Sequence, residues 1–105
     1  MSWGQTTNPM EGLMDIETAK KMMGLAFKFL REERGLSRAA LAKEAGVSVV
    51  CLRHFEQGVR DTKLVTLFAL MDGLKIPRET TIALLGAAME NPEKWLAEHG
   101  KKKEG

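Results

Sequence analysis

The sequence has one cysteine, no long apolar run and no segment in which apolar and polar residues alternate. Cys51 alone cannot form an intramolecular disulfide, so nothing points to an oxidising compartment and we expect a cytoplasmic protein. No apolar run approaches the roughly 20 residues that span a bilayer, and we expect no membrane contact. Residues 1–11 lack the basic start and apolar stretch of a signal peptide, so we expect none. Without alternation, no strand is predicted.

Patterns that support catalysis or metal binding are also missing. The sequence contains no glycine-rich phosphate loop and no pair of carboxylates placed for acid–base chemistry. Its one cysteine and two histidines do not have the spacing of zinc ligands. Ser37 and Ser48 fit helix caps better than nucleophiles. We therefore expect a protein that is not an enzyme and that needs no metal or cofactor.

Charge is distributed unevenly along the chain. The net charge is only +2, but residues 28–63 carry eight Lys and Arg against five Asp and Glu, an excess of +3. A basic excess that is concentrated in one segment is typical of contact with a polyanion such as a nucleic acid. The solvated face of a charged helix is the alternative interpretation of the same pattern.

Apolar spacing predicts helices over almost all of the chain between a flexible N-terminal arm at 1–14 and a basic tail at 100–105. We expect helices at about residues 16–34, 37–46, 48–58, 62–74, 78–90 and from 92 onward. Ser37 and Ser48 have the side chains of N-caps, and Gly46 is placed to end the second helix in a tight turn. The predicted fold class is therefore all-α.

Three of the predicted helices carry an apolar stripe that we assign to the core. Spacings of three and four place the members of each stripe on one side of a helix. The stripes consist of Met23, Phe27 and Leu30 in the first helix, Leu64, Leu67, Phe68, Met71 and Leu74 in the fourth, and Ile82, Leu85 and Met89 in the fifth.

Two short capped helices joined by a glycine turn, residues 37–55, form the most informative segment. Ala42 is small where the two helices must approach each other, Val47 fills the turn, and Leu52 anchors the second helix. This arrangement is typical of a helix-turn-helix, in which the second helix enters the major groove of DNA.

A longer stretch, residues 30–77, resembles the lambda-repressor/Cro type of helix-turn-helix protein, often called the XRE family. It covers about half of the chain and contains Leu30-Arg31, Gly35-Leu36-Ser37, Leu41-Ala42, Gly46-Val47-Ser48, Leu52, Phe55-Glu56, Gly58 and Leu64 through Leu74. The resemblance implies a DNA-binding domain at 15–77 with a lambda-repressor-like core of four to five helices, and extra C-terminal helices at 78–99.

The resemblance implies roles for individual residues around the recognition helix. Arg31 and Glu56 fall where the family has a structural salt bridge between the first helix and the end of the recognition helix. Arg38 opens the second helix, where the family often has a glutamine that touches a phosphate and supports the recognition helix. The residues to which we assign phosphate binding are Arg38, Ser48, Gln57, Arg60 and Lys63. Such contacts position a protein on DNA without reading its sequence.

Val49, Val50 and His54 fall where members of the family read base edges, and Arg53 is adjacent. Residues at the start of the helix and one turn later share its outward face. Arg53 is suited to a bidentate bond with guanine, the valines to a thymine methyl group, and His54 to a base or a phosphate. Cys51 is interpreted as a packing or groove-wall residue, with a redox switch as the alternative.

Two departures from the family pattern affect this assignment. The adjacent valines make an unusually apolar reading surface, which favours an alternative from another class, a protein-interaction adaptor on the same fold. Thr62 stands where the family often has a proline, and we interpret it as the N-cap of the fourth helix.

Two uses are open for the C-terminal helices: they complete the core, or they form a dimer interface. Dimerisation fits two-fold symmetric operators, whose half-sites lie about 34 Å apart. We assign it to the apolar residues that exceed the needs of a small core, namely Leu84, Leu85, Met89, Trp95 and Leu96.

We therefore expect a sequence-specific DNA-binding transcriptional regulator, a homodimeric repressor of a palindromic operator. The antitoxin of a toxin–antitoxin pair is the alternative within DNA binding. It would add a toxin as protein partner, bound by the N-terminal arm or the C-terminal helices. The lysines at 101–103 are interpreted as a soluble end, with contact to a nucleic-acid backbone as the alternative.

Overall fold

Six α-helices run through residues 15–100, the part of the chain described by the structure, which is a computed structural model. They are α1 (Ile16–Glu33), α2 (Arg38–Ala45), α3 (Val49–Glu56), α4 (Leu64–Leu74), α5 (Arg78–Glu90) and α6 (Pro92–Trp95), and a π-helical turn (Leu96–Gly100) follows. These described residues form no strand, so the predicted all-α fold class is confirmed. None of their helices combines the length and the hydropathy that crossing a membrane requires. The predicted arm at 1–14 and the tail residues 101–105 lie outside the described part.

Side-chain caps determine where α1, α2 and α3 begin. The carboxylate of Asp15 accepts a hydrogen bond from the backbone N–H of Thr18 at 2.7 Å, and this bond holds the pKa of Asp15 below its ordinary value. The hydroxyl oxygens of Ser37 and Ser48 each accept from the backbone N–H three residues later at 3.0 Å, which confirms both predicted caps. Between α2 and α3, Gly46 has φ 74° and ψ 31°, a left-handed conformation that favours glycine.

The start of α4 differs from the sequence prediction. The helix begins at Leu64 rather than at Thr62, and its N-cap, Lys63, makes no side-chain cap bond. The predicted capping role of Thr62 is wrong, because extended backbone at Lys63, with φ −75° and ψ 153°, keeps the chain non-helical for longer. Leu64 is 66% exposed, so its predicted core position is wrong. Leu70, which the predicted stripe did not include, is a buried core residue of α4.

Aromatic and aliphatic side chains from all six helices form one core. The rings of Phe27 and Phe55 lie 5.4 Å apart with their planes tilted by 60°, and they join α1 to α3. At the contact between α2 and α4, a Cβ on Gly73 would lie 2.9 Å from Cδ1 of Leu41, so the two helices approach closely there. The buried apolar residues are Met22, Ala26, Phe27, Leu30, Leu41, Ala42, Leu52, Phe55, Leu70, Met71, Leu74, Leu85, Ala88 and Trp95.

The inner side of α5 packs against α1 and differs from the predicted stripe. Thr81, Leu85 and Ala88 are buried at spacings of four and three. The hydroxyl of Thr81 donates to the carbonyl oxygen of Pro77 at 3.3 Å, which satisfies this polar group inside the core. The predicted core position of Ile82 is wrong, since this side chain lies on the other side of the helix and is 52% exposed.

Trp95 closes the C-terminal end of the core. Its ring meets the ring of Phe29 edge-on at 5.8 Å and stacks on that of His99 at 4.5 Å, with an angle of 22° between the stacked planes. Nδ1 of His99 also lies 3.0 Å from the carbonyl oxygen of Trp95, which ties the π-helical turn to α6. The C-terminal helices thus complete the core of their own chain.

Candidate nucleic-acid interface

The C-terminal end of α3 is tied to α1 and α2 by one buried carboxylate. The side chain of Glu56 is 0% exposed and accepts from Nε of Arg31 at 2.7 Å and from its Nη2 at 3.0 Å. Oε1 of Glu56 also accepts from Nε of Arg38 at 2.9 Å. Charge-assisted bonds of this fork geometry are directional, so they favour a single position for the end of α3.

Arg31 holds the loop before α2 as well as the carboxylate. Its Nη1 donates to the carbonyl oxygen of Leu36 at 2.8 Å, which fixes the connection between α1 and α2. The guanidinium group is buried, so its charge depends on these partners rather than on water. Nη2 of Arg31 also lies 3.9 Å from a carboxylate oxygen of Glu32, so the two guanidinium groups of Arg31 and Arg38 are balanced by two carboxylates.

A glycine brings α1 close to the end of α3. A Cβ on Gly24 would overlap the carbonyl oxygen of Phe55 and would lie 2.7 Å from that of Glu56. Only a residue without a side chain therefore allows the two helices to pack at this distance. Sequence reasoning missed Gly24, although a lone glycine inside a helical pattern was the available signal.

The side of α3 that faces away from the core is open. Val49 is 39% exposed and Val50 49% exposed, and Arg53, one turn further on, is half-buried. Their spacing places these three side chains on the outward side of the helix. The one carboxylate of α3 belongs to the buried Glu56, so the outward side carries no acidic group.

His54 is placed differently from the other predicted base-reading residues. Its side chain is half-buried like that of Arg53, but its Nδ1 is enclosed without a hydrogen-bond partner in the described part of the chain. The ring is therefore turned partly toward the protein. The structure brings Val49, Val50 and Arg53 together on one side and sets His54 partly apart from them.

Exposed polar and basic side chains lie near both ends of α3. Ser48 precedes the helix and Gln57 follows it, and both are exposed. Arg60 and Lys63 are exposed in the connection that leads to α4. Arg38 differs from these four predicted phosphate-binding residues, because its side chain is half-buried and its Nε is engaged by the buried carboxylate.

The five residues predicted to form a dimer interface do not share one exposed face. Leu85 and Trp95 are buried in the core of their own chain, where they are not accessible to a second copy. Leu84 and Met89 are half-buried against the same core, and Leu96 is exposed. The sequence pattern missed this division because apolar character alone does not distinguish a core residue from an interface residue.

A family model described as a helix-turn-helix domain matches residues 23–84, from α1 into α5. The capped helices α2 and α3, the left-handed glycine between them and the supporting helices α1 and α4 are those of this domain. The match covers more than half of the chain, and the structure thus defines a helix-turn-helix protein.

Curated proteins of the same class are similar to the chain. An HTH-type transcriptional regulator of Mycobacterium bovis is 36% identical over 75 residues, which are 71% of this chain and 29% of the relative. The HTH-type transcriptional regulator SutR of Escherichia coli is 31% identical over 68 residues, 65% of this chain and 38% of SutR. Antitoxin HipB of Escherichia coli is 29% identical over 68 residues, 65% of this chain and 68% of HipB. The chain belongs to the XRE-like helix-turn-helix family, and it spans well under half the length of the first two relatives.

Proposed function

We propose that this protein is a sequence-specific DNA-binding transcriptional regulator, a homodimeric repressor that binds a palindromic operator with α3 in the major groove. The proposal is carried by the exposed outer side of α3 together with the buried pair of Arg31 and Glu56 beneath its end. A helix anchored in this way presents its side chains at a fixed angle, and a major groove about 12 Å wide admits it. The names of the mycobacterial relative and SutR as transcriptional regulators support the proposal.

The outer side of α3 combines apolar and charged side chains that suit different base edges. The methyl groups of Val49 and Val50 suit contact with the methyl group of thymine, and the guanidinium group of Arg53 suits O6 and N7 of guanine. The absence of an exposed carboxylate on this side of α3 supports approach to DNA. We assign base reading to these three residues, with His54 beside them.

Phosphate contacts on both sides of α3 would set its register in the groove. The residues assigned to this role are Arg38, Ser48, Gln57, Arg60 and Lys63. Arg38 would have two functions, since its Nε is bonded to Glu56 and its other nitrogens are not used in that bond. A phosphate bound there would be connected through the carboxylate to the end of α3.

A second copy is proposed to bind through the C-terminal helices. One recognition helix covers only a few base pairs, whereas operators repeat their half-sites at about 34 Å. Ile82 and Leu96 are the exposed large apolar side chains on these helices within residues 78–99, and Leu84 and Met89 are half-buried there. We assign the dimer contact to these four residues.

Fluorescence anisotropy with a labelled duplex from the DNA upstream of the protein's own gene tests the proposal. We expect saturable binding that is tighter than to a scrambled duplex of equal length. The logarithm of the binding constant should fall linearly with the logarithm of the salt concentration, because each phosphate contact releases counterions. A flat salt response or equal affinity for the two duplexes contradicts the proposal. The adaptor hypothesis instead predicts no binding to either duplex.

An antitoxin is the second candidate, and the similarity to antitoxin HipB favours it. An antitoxin would bind its toxin through the N-terminal arm or the C-terminal helices while α3 binds DNA. Expression of this chain together with the product of the adjacent gene tests the idea. Co-purification and rescue of growth support an antitoxin, and a neighbour that neither arrests growth nor co-purifies contradicts it.

A further inference from the structure

A cavity of about 370 Å³ opens between α3 and the start of α4. Its floor is apolar and is lined by Val47, Leu52, Phe55 and Leu70. The volume falls within the range of about 300–1,000 Å³ that is usual for small-molecule sites. A phosphate offers no apolar surface, so the phosphate contacts proposed for Ser48, Arg60 and Lys63 do not account for this floor.

The rim of the same cavity is basic. Arg60 and Lys63 line it, and neither cation has a carboxylate partner among residues 15–100. Asp61 also lines the cavity, so the two cations leave an excess of positive charge at the rim. The hydroxyl groups of Ser48 and Thr66 add hydrogen-bonding groups at the wall.

We propose that this cavity binds a small apolar molecule that carries one carboxylate. The apolar part would lie on the floor, and the carboxylate would lie between Arg60 and Lys63. A neutral molecule would gain nothing from the two exposed cations, and an inorganic anion would leave the apolar floor uncovered. Charge and apolar area therefore favour the same amphipathic ligand.

The ligand would weaken the affinity for DNA, and this part of the inference rests on the proposed function. Ser48, Arg60 and Lys63 line the cavity and also belong to the residues assigned to phosphates. A carboxylate held by the two cations competes with phosphate for them. By linkage, bound DNA would weaken the binding of the ligand by the same factor.

Cys51 makes occupancy of the cavity measurable. It is the one cysteine in the chain, it is exposed, and it lines the cavity. The rate at which iodoacetamide alkylates its thiol, followed by mass spectrometry, reports whether the cavity is filled. Naphthoate is the probe, and naphthylmethanol is its uncharged control. The concentration of each is raised to about 5 mM, because a ligand of this size that fits its site has a Kd of about 1 mM or tighter. We expect naphthoate to slow alkylation and naphthylmethanol to need about tenfold higher concentration for the same effect.

Substitutions then locate the probe. The double variant Arg60→Gln, Lys63→Gln should weaken protection by naphthoate about tenfold or more. Thr66→Phe should abolish protection by filling the cavity, and Lys94→Gln, an exposed cation in α6, should leave it unchanged. Because both rim cations are exposed, the double variant is expected to fold even where Thr66→Phe does not. No protection by naphthoate, equal protection by the two probes, or protection that survives the double substitution overturns the proposed site.

The same probes added to the complex with a duplex test the regulatory part. Naphthoate should release the duplex in a buffer matched with sodium acetate, and naphthylmethanol should not. If the protein binds no duplex, the proposed function fails while alkylation of Cys51 still reports on the cavity. Protection of Cys51 without release of the duplex supports the binding site and overturns its regulatory role.

Discussion

Arg31 on α1 and Glu56 at the end of α3 form a buried bidentate ion pair, with Nε to Oε2 at 2.7 Å and Nη2 to Oε1 at 3.0 Å. Arg38 on α2 binds the same carboxylate through its Nε at 2.9 Å. The orientation of α3 is therefore defined by two other helices. This matters because α3 has only 8 residues, and a helix of that length is marginal on its own.

Glu56→Gln should destabilise the protein by about 3–5 kcal/mol, because it removes the charge of the carboxylate that binds the buried Arg31 bidentately and leaves only Glu32, at 3.9 Å. Urea unfolding followed by circular dichroism measures the change. Glu44→Gln is the matched control, since Glu44 pairs with Lys75 at 3.3 Å on the surface, and it should cost less than about 1 kcal/mol. Equal effects of the two substitutions would contradict the anchoring role of the buried pair.

Gly24→Ala should destabilise the protein by about 1–3 kcal/mol, because the added Cβ overlaps backbone carbonyl oxygens of α3. These atoms belong to the helix backbone and can move away only if the helix itself shifts. Gly86→Ala is the control on another helix. A Cβ at Gly86 meets nothing within 4 Å, and this substitution should stabilise α5 by about 0.5–1 kcal/mol. Thermal unfolding of both variants gives opposite shifts in Tm if the close approach of α1 to α3 is correct. A stable Gly24→Ala protein would show that the helices do not approach this closely.

Lys75→Asn should stabilise the protein by about 1 kcal/mol, because Lys75 ends α4 with φ 59°, in the left-handed region where asparagine is tolerated better. Lys75→Ala is the matched variant. It also removes the exposed pair with Glu44 but retains a Cβ without a local hydrogen-bonding group, so it should give no gain. Chemical unfolding of the two variants compares them directly, and equal stability would argue against strain at this position.

Prediction from sequence was accurate where a local rule decides the structure. The caps at Ser37 and Ser48 follow from a hydroxyl placed before an apolar helical pattern, and the turn at Gly46 follows from glycine's freedom at positive φ. The start of α4 was predicted wrongly at Thr62, since several polar residues precede this helix and none of them caps it. Helix boundaries of this kind depend on how the loop packs rather than on one side chain.

The candidate site depends more on tertiary contacts than on local pattern. The bond from Arg38 to Glu56 joins residues 18 positions apart, and spacing gives no signal for it. The enclosed position of Nδ1 of His54 likewise depends on how α3 packs against the rest of the chain. The division of the C-terminal apolar residues into the buried Trp95 and the exposed Leu96 has the same origin. None of these features could be predicted without knowing how the helices pack against one another.

Arg38→Ala should lower the affinity for every duplex by a similar factor, because phosphate contacts carry no sequence information and the bidentate pair with Arg31 still holds Glu56 at the end of α3. The slope of the logarithm of the binding constant against the logarithm of salt should become shallower by about 0.9, the value for one phosphate contact. Lys94→Ala, an exposed cation on α6, is the control and should change neither quantity. Anisotropy titrations at several salt concentrations provide the measurement. A loss of affinity confined to one duplex sequence would instead assign Arg38 to base reading.

Selection of bound sequences from a random duplex library tests most directly whether the outer side of α3 reads base pairs. The unsubstituted protein should enrich a two-fold symmetric motif. Arg53→Ala should enrich the same motif with the preference lost at one symmetric pair of positions, a loss of about 1–3 kcal/mol for the preferred base. An identical motif from Arg53→Ala, or no enrichment by the unsubstituted protein, would contradict the account.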